Sequence, residues 1–297
     1  MITNTIKNMK ALDVLLCLLV MILWGSQVTG VKIVSEEIPL FTILLIRFSI
    51  ISAFLFPFMN KVDIKILCKM AIISLFSTSI HFFLLYQGIA LIPAATSAVI
   101  YQLTPIFTII LSALILGDNI KKSSILGISV AFVGIIFMFG GIDLKANIIG
   151  GIFVTLAAFS FSIGTVLTKK LGPFDPISMN CFSAIFSIPF MLTMALAKEG
   201  NIFTALSQSS VMTWLVLLYV ALSGGVIGFA IWYHLLNRYA ITTLSPYTLL
   251  IPLFAVSISE SLLHEGLNLH FILSSVTIII GVAMTQINFT RHLNFKK

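Results

Sequence analysis

The sequence predicts an all-α integral membrane protein of ten transmembrane helices, built as two inverted five-helix repeats with both termini on the same side. Three observations lead there. Of its 297 residues, 59% are hydrophobic and only 9% are charged, whereas a soluble domain carries about a quarter charged; the solvent for this chain is a bilayer. One long stretch occurs twice, as YQGIALIPAATSAVIYQLTPIFTIILSALILGD from Tyr86 to Asp118 and as YHLLNRYAITTLSPYTLLIPLFAVSISESLLHE from Tyr233 to Glu265. Lysine and arginine alternate across the apolar runs with a strong bias to one side.

Ten runs are each long enough to span, at about 20 residues per crossing. They lie near 11–32, 38–59, 67–90, 94–116, 123–141, 148–168, 177–197, 212–236, 242–263 and 269–289. The first is too long for the core of a signal peptide and lacks an A-x-A site, so it is read as a retained helix. Runs two and seven each have a proline at their start, Pro39 and Pro176. The fourth and ninth each carry a proline at their middle, Pro105 and Pro252, and each of the repeated stretches closes on an acid, Asp118 or Glu265. Residues 1–10 form an N-terminal tail, 11–141 the first repeat, 142–147 an external linker, 148–289 the second repeat and 290–297 a basic tail.

A shift of 147 residues places Tyr86 on Tyr233, Thr96 on Thr243, Pro105 on Pro252 and Gly134 on Gly281. Earlier in the halves the shift is 137, with Lys32 on Lys169, Pro39 on Pro176 and Trp24 on Phe161, so the loop near 198–210 holds about ten extra residues. Five helices per half is an odd number, so the second half enters the membrane from the opposite side. One side of the runs collects Lys7, Lys10, Lys61, Lys65, Lys69, Lys121, Lys122, Lys169, Lys170, Arg238, Arg291, Lys296 and Lys297, and the other only Lys32, Lys145 and Lys198. By the positive-inside rule both termini are cytoplasmic. Inverted halves can exchange conformations, which is how many secondary transporters reach inward-open and outward-open states around a midplane site. The spacings Gly224-x-x-x-Gly228 and Gly127-x-x-x-Ala131 would let helices approach closely.

The segment LLVMILWGSQVTGVKIVSEEIPLFTILLIRF, with Trp24, Gly25, Lys32, Pro39 and Arg47, resembles the opening of an EamA-type drug/metabolite transporter. LILGD at 114–118 and LLHE at 262–265 resemble that family's helix-terminal acid, and residues 228–259 are most similar to its O-acetylserine/cysteine exporter branch. The resemblance covers residues 11–290. It implies a multi-pass carrier of the bacterial inner membrane that exports small amino-acid metabolites, with a cavity lined by the first, third, fourth, sixth, eighth and ninth helices. The chain departs from the pattern at Phe161 and Ser162, at Ala184 in the place of Arg47, and at Asp118 in place of the usual glutamate.

Several residues stand out chemically. Arg47 lies inside a span, where an ionisable group is costly; it either binds a substrate carboxylate or forms a structural pair or snorkels. Glu260, whose repeat counterpart is Ala113, either carries a proton, pairs with Arg47 or reaches external water. His81, near mid-membrane, either titrates with a ligand or holds an interhelical partner. Tyr101, Gln102 and Thr104 cluster beside Pro105, which frees a carbonyl and bends the helix. With Trp24, Gln27, Trp232, Tyr233 and Pro252 they make up the expected substrate site, against the plainer reading of helix packing. Cys17, Cys68 and Cys181 fit no metal or redox spacing, and no metal or cofactor is expected. A Walker motif and HExxH, GxSxG and GxGD signatures are missing, which argues against ATP drive and against an intramembrane enzyme. A channel has no need of exchangeable halves. A carrier of drugs, aromatic amino acids or nucleotide-sugars is the second reading within transport. The expected partners are a small-molecule substrate and the lipid bilayer, with no nucleic acid, in a monomer or weak homodimer.

Overall fold

A computed structural model describes residues 9–92, 94–138, 148–200, 202–263 and 269–286, without the side chains at 94–95, 203–204, 259–260, 262–263 and 270–271. The two tails and the 142–147 linker therefore lie wholly or mostly outside the described residues, as does Glu265. All regular structure among the described residues is helical, and all but one short helix falls in ten apolar segments. These are α1 (Ala11–Ser35), α2 (Leu40–Leu55, tightening over Phe56–Phe58), α3 (Ile64–Ile89), α4 (Ala94–Tyr101 and Leu103–Leu116) and α5 (Lys122–Met138). The second set is α6 (Ile148–Leu171), α7 (Pro176–Lys198), α8 (Val211–Arg238), α9 (Ile241–Leu244, Ser245–Leu250 and Ile251–Leu263) and α10 (Leu269–Gln286). Eight are long and apolar enough to cross a membrane, and the shorter pair is Lys122–Met138 and Ile272–Gln286. Each apolar run read from the sequence coincides with one segment. The insertion before α8, expected as a loop, instead carries a short helix, Ile202–Gln208.

Local chemistry sets the ends. Asp175 accepts from the Ser178 N–H at 2.8 Å and Pro176 opens α7, a favoured start because proline has no amide hydrogen to leave unpaired. Ser210 caps α8 by accepting from Thr213 N–H. Gly117, with φ of 73°, ends α4 in the left-handed conformation. The α2 start is capped from the other half, because Glu199 accepts from the Phe41 and Thr42 N–H groups at 2.6 and 2.8 Å. Glu37 does the same for α8, accepting from Ser210 N–H at 2.6 Å, and this bond is the main reason its carboxyl pKa is held below the ordinary range.

Packing repeats when each helix is exchanged for the one five places on. α3 packs on α6 and α8 on α1, α4 packs on α6 and α9 on α1, while α2 pairs with α7 and α5 with α10. The two self-exchanging pairs run antiparallel. In α2·α7, Phe41 meets Glu199, Ser52 meets Cys181 and Asn60 meets Ser178. In α5·α10, Gly127 lies against Gly281 and Gly134 against Ser274, two contacts that the 147-residue shift interchanges.

The helix ends sort onto two faces. On one, Asn60 N–H donates to Ser178 Oγ at 3.0 Å, Arg238 pairs with Asp13, and Lys169 donates to the Tyr239 carbonyl at 2.9 Å. On the other, Glu37 meets Ser210, Glu199 meets α2, and Gly88 meets Gly150. Among the described residues Lys10, Lys61, Lys65, Lys69, Lys121, Lys122, Lys169, Lys170 and Arg238 belong to the first face, and Lys32 and Lys198 to the second.

The closest helix approach is at α5·α10. A Cβ on Gly281 would lie 2.4 Å from the Ala131 backbone nitrogen and 2.6 Å from the Gly127 carbonyl oxygen. Backbone cannot swing aside as a side chain can, so Gly281→Ala is expected to destabilise by about 1–3 kcal/mol. Gly151→Ala, whose Cβ would meet only Ile100 at an ordinary 3.7 Å, is the neutral control. Thermal unfolding in detergent compares them, and equal midpoints would refute the backbone contact.

Candidate functional site

Two helices carry a widened, π-type turn, α3 over Leu75–Ile80 and α8 over Ala221–Gly228. The 147-residue shift superimposes these turns. Such turns leave backbone carbonyls out of the regular ladder and are frequent at functional sites. In α8 the turn holds Gly224, Gly225 and Gly228, and side chains of α1 fill the groove. A Cβ on Gly224 would overlap the Gln27 amide, and one on Gly228 would lie 2.9 Å from Trp24 Nε1. Trp24 Nε1 donates to the Gly224 carbonyl at 3.4 Å, and its ring packs on Phe229 and Trp232 with centroids 5.1 and 5.3 Å apart. The glycine spacing in α8 thus receives side chains, whereas that in α5 receives the α10 backbone. In the other half the sizes are reversed: Phe161 lies on His81 at 5.1 Å, and Gly164 leaves room for the Ser77 backbone.

Between the halves lies a narrow gap lined by Arg47, Phe48 and Ile51 of α2, Thr78 of α3, Asn180, Ser183 and Ala184 of α7, and Phe229 and Tyr233 of α8. A second gap, which shares Phe229 and Tyr233 with the first, is lined also by Ser77, Phe161, Thr165, Thr168, Trp232 and Leu236. Each has room for little more than one water molecule, so this arrangement is closed. Arg47 is buried, 4% exposed, and its Nε has no hydrogen-bond partner. Its guanidinium carbon stands 5.5 Å from the centre of the Phe82 ring. The only ion pair among the described residues is Arg238 with Asp13, so Arg47 has no carboxylate partner there. The Glu260 side chain lies outside the described residues, and its expected roles stay with the sequence reading.

The other expected residues fall into two groups. His81 Nε2 meets the Tyr101 hydroxyl at 2.8 Å, which joins α3 to α4; its Nδ1 has the Ser77 carbonyl nearby, outside hydrogen-bond geometry. Pro105 deprives the Tyr101 carbonyl of its helical donor, and the Thr104 hydroxyl donates to that oxygen at 2.6 Å. Gln102 is buried where α4 breaks, and Pro252 is buried in α9. Trp24, Gln27 and Trp232 meet at α1·α8 and Tyr233 lines both gaps, while the lining of the first gap also draws on α2 and α7, which the expected cavity did not include.

Asn180, Thr78 and Ser183 were not singled out from the sequence. Asn180 Nδ2 donates to the Gly225 carbonyl at 2.8 Å, with the Val226 carbonyl at 3.3 Å, and so satisfies oxygens freed by the α8 turn. Ser74 donates to Ser183 at 3.1 Å, and the Thr78 and Ser187 hydroxyls meet at 2.6 Å. The available signal was spacing: Ser74 and Thr78, and Ser183 and Ser187, recur at four residues within apolar runs, which puts each pair on one helix face.

The first face is tied by ions. Asp13, 2% exposed, accepts from Arg238 at 3.0 Å and from the Tyr239 hydroxyl at 2.5 Å. Burial first, then the Asp13 bond, hold the Tyr239 phenol above its ordinary pKa, so it stays a donor at neutral pH. The shifts of 137 and 147 carry this cluster onto Gly150, Leu91 and Ile92 on the second face. There the contact is apolar: a Cβ on Gly150 would come 2.6 Å from Ile92 and 2.9 Å from Leu91.

Known proteins share this architecture. The EamA-like transporter family matches residues 12–140 and 148–287. A probable amino-acid metabolite efflux pump of Salmonella typhimurium is 27% identical over 95% of this chain and 97% of its own length. The same description and identity apply to a protein of Escherichia coli K12, over 92% of this chain and 94% of that one. An uncharacterized transporter of Clostridium kluyveri is 26% identical over 89% of each. One crystal structure superimposes with a TM-score of 0.73 at 15% identity, covering 93% of this chain and 96% of that chain, which shows the fold.

Proposed function

Because this chain belongs to the EamA-like transporter family, we propose that it is a secondary transporter of the bacterial inner membrane, exporting small amino-acid metabolites by alternating access. Ten crossings, in inverted halves 11–141 and 148–289 with both termini cytoplasmic, agree with the antiparallel α2·α7 and α5·α10 pairs and with the basic first face. The observation that carries the substrate reading is Arg47: a buried guanidinium with no carboxylate partner among the described residues, beside a gap between the halves that Thr78, Asn180 and Ser183 also line. Holding a bare cation there is costly, and a substrate carboxylate would relieve that cost. The relatives described as probable amino-acid metabolite efflux pumps support the same class.

Exchange between two open states requires each face to part in turn. On the first face α1 must leave α8 at Asp13, Arg238 and Tyr239; on the second α6 must leave α3 at Gly150, Leu91 and Ile92. At these repeat-equivalent contacts one closure is ionic and the other apolar, so the two states are not energetically equivalent. Glu260, in the outer half of α9, with His81 as a second candidate, couples export to the proton gradient.

The test is purified protein in liposomes loaded with labelled cysteine, O-acetylserine or glutamine, with and without a pH gradient. Efflux that responds to the gradient is expected. Glu260→Gln should abolish the response and keep substrate exchange. Folded protein that moves none of the three would refute the substrate class.

A further inference from the structure

The pseudo-symmetric halves give the central gap two unlike walls. Along α3 and α7 runs a buried hydroxyl seam: Ser74 with Ser183, Thr78 with Ser187 at 2.6 Å, and Ser79 with Ser187 at 3.2 Å. At the repeat-equivalent places along α8 and α2 stand Ala221, Gly225, Val226, Ile46 and Ile50, with no hydroxyl among them. Arg47 rises from that apolar wall, and Ala184 holds its equivalent place on the seam side. The cation and the seam therefore line one gap from different sides. Asn180 stands between them. It bonds the Gly225 carbonyl, and a Cβ on Gly225 would lie 3.6 Å from Arg47 Nε. Because its two neighbours are both carbonyl oxygens, the amide must present its nitrogen to them. What Asn180 has left for the gap is its own carbonyl oxygen, an acceptor.

We propose that the Asn180 oxygen and the Thr78 and Ser183 hydroxyls form a subsite for the ammonium group of an α-amino acid whose carboxylate is held by Arg47. This rests on the transport reading above and deepens it, because it makes the substrate a zwitterion, selected at both ends. An ammonium carries three donors and no acceptor, so oxygens are what it needs, and neutral ones suffice when the carboxylate is neutralised nearby. Ser183 accepts from Ser74, and Thr78 donates its hydrogen to the Ser74 carbonyl while meeting Ser187, so each hydroxyl keeps a lone pair free to accept. As the closed gap has room for little more than one water, the walls must part for the ligand to enter, and the two ends of the zwitterion then bridge them.

A site built to hydrogen-bond a group rejects the analogue that lacks it. L-Cysteine and 3-mercaptopropionate differ only in the ammonium group, and both can be tested as competitors of labelled cysteine exchange in liposomes. Wild-type protein is expected to prefer cysteine by about tenfold or more. Asn180→Leu and Ser183→Ala should each bring the two competitors close to parity by weakening cysteine, with 3-mercaptopropionate little changed. Asn180 also braces the α8 turn, so Ser183→Ala, a smaller change, carries the test if Asn180→Leu unfolds. An undiminished cysteine preference in folded variants overturns the subsite and leaves the transport reading intact. Wild-type protein that treats the two competitors alike does the same. Wild-type protein that exchanges no amino acid overturns the transport reading, and the subsite falls with it.

Discussion

Arg47→Met is expected to reduce amino-acid export on the order of 100-fold while leaving insertion and thermal stability unchanged or slightly improved. The two halves of this prediction have different causes. Methionine fills a similar volume, so the α2·α7 packing around Phe48 and Ile51 survives. What disappears is a cation that is 4% exposed, has no hydrogen bond at Nε and rests on the Phe82 ring. A charge held without a carboxylate partner among the described residues contributes little to the folded state, so removing it costs little stability. If it is the carboxylate anchor, its loss leaves the substrate's own charge buried without an answer. Arg47→Lys keeps the charge and loses the planar fork, so it should lie between the two. Wild-type flux in folded Arg47→Met protein would take Arg47 out of the mechanism. A variant that fails to insert would mark it as structural.

The second large effect is expected at Asp13. Cys17 lies one helical turn further along α1, fully buried behind the Asp13–Arg238–Tyr239 cluster. Asp13→Asn keeps the side-chain shape and removes the charge that Arg238 and Tyr239 share. The first face should then part more often, and Cys17 should react with an impermeant maleimide about tenfold faster from that side. Cys68, already exposed, serves as the control and should not change. Gly150→Ala pries at the equivalent apolar contact on the opposite face, so it should not raise Cys17 labelling. Unchanged Cys17 labelling in folded Asp13→Asn protein would refute the cluster as a closure of this face.

Some of this was legible in the chain and some was not, for identifiable reasons. Hydropathy located the helical segments, because a bilayer tolerates few charges along a helix and so writes each run plainly. The repeat anticipated the equivalence of Gly134 with Gly281, which the α5·α10 contacts use. Arg47 stood out because a charge inside a run is conspicuous. Asn180, Thr78 and Ser183 did not, since small polar residues are common in such helices and only their direction matters. The Gly224-x-x-x-Gly228 spacing read as a helix contact, and α1 does pack there, through the side chains of Trp24 and Gln27. Spacing tells which residues share a face and is silent on what that face meets.

The sequence by itself therefore determined the apolar helical segments, because each follows from the transfer of local groups between water and lipid. Only the tertiary structure decided which wall of the gap is polar, that His81 is paired with Tyr101, and that the two faces close by unlike contacts. Those outcomes depend on residues of different helices, from His81 with Tyr101 to Asp13 with Arg238, and on rotations about helix axes. No local pattern specifies such a rotation; it is set when two faces pack at van der Waals distance and bury their polar groups together.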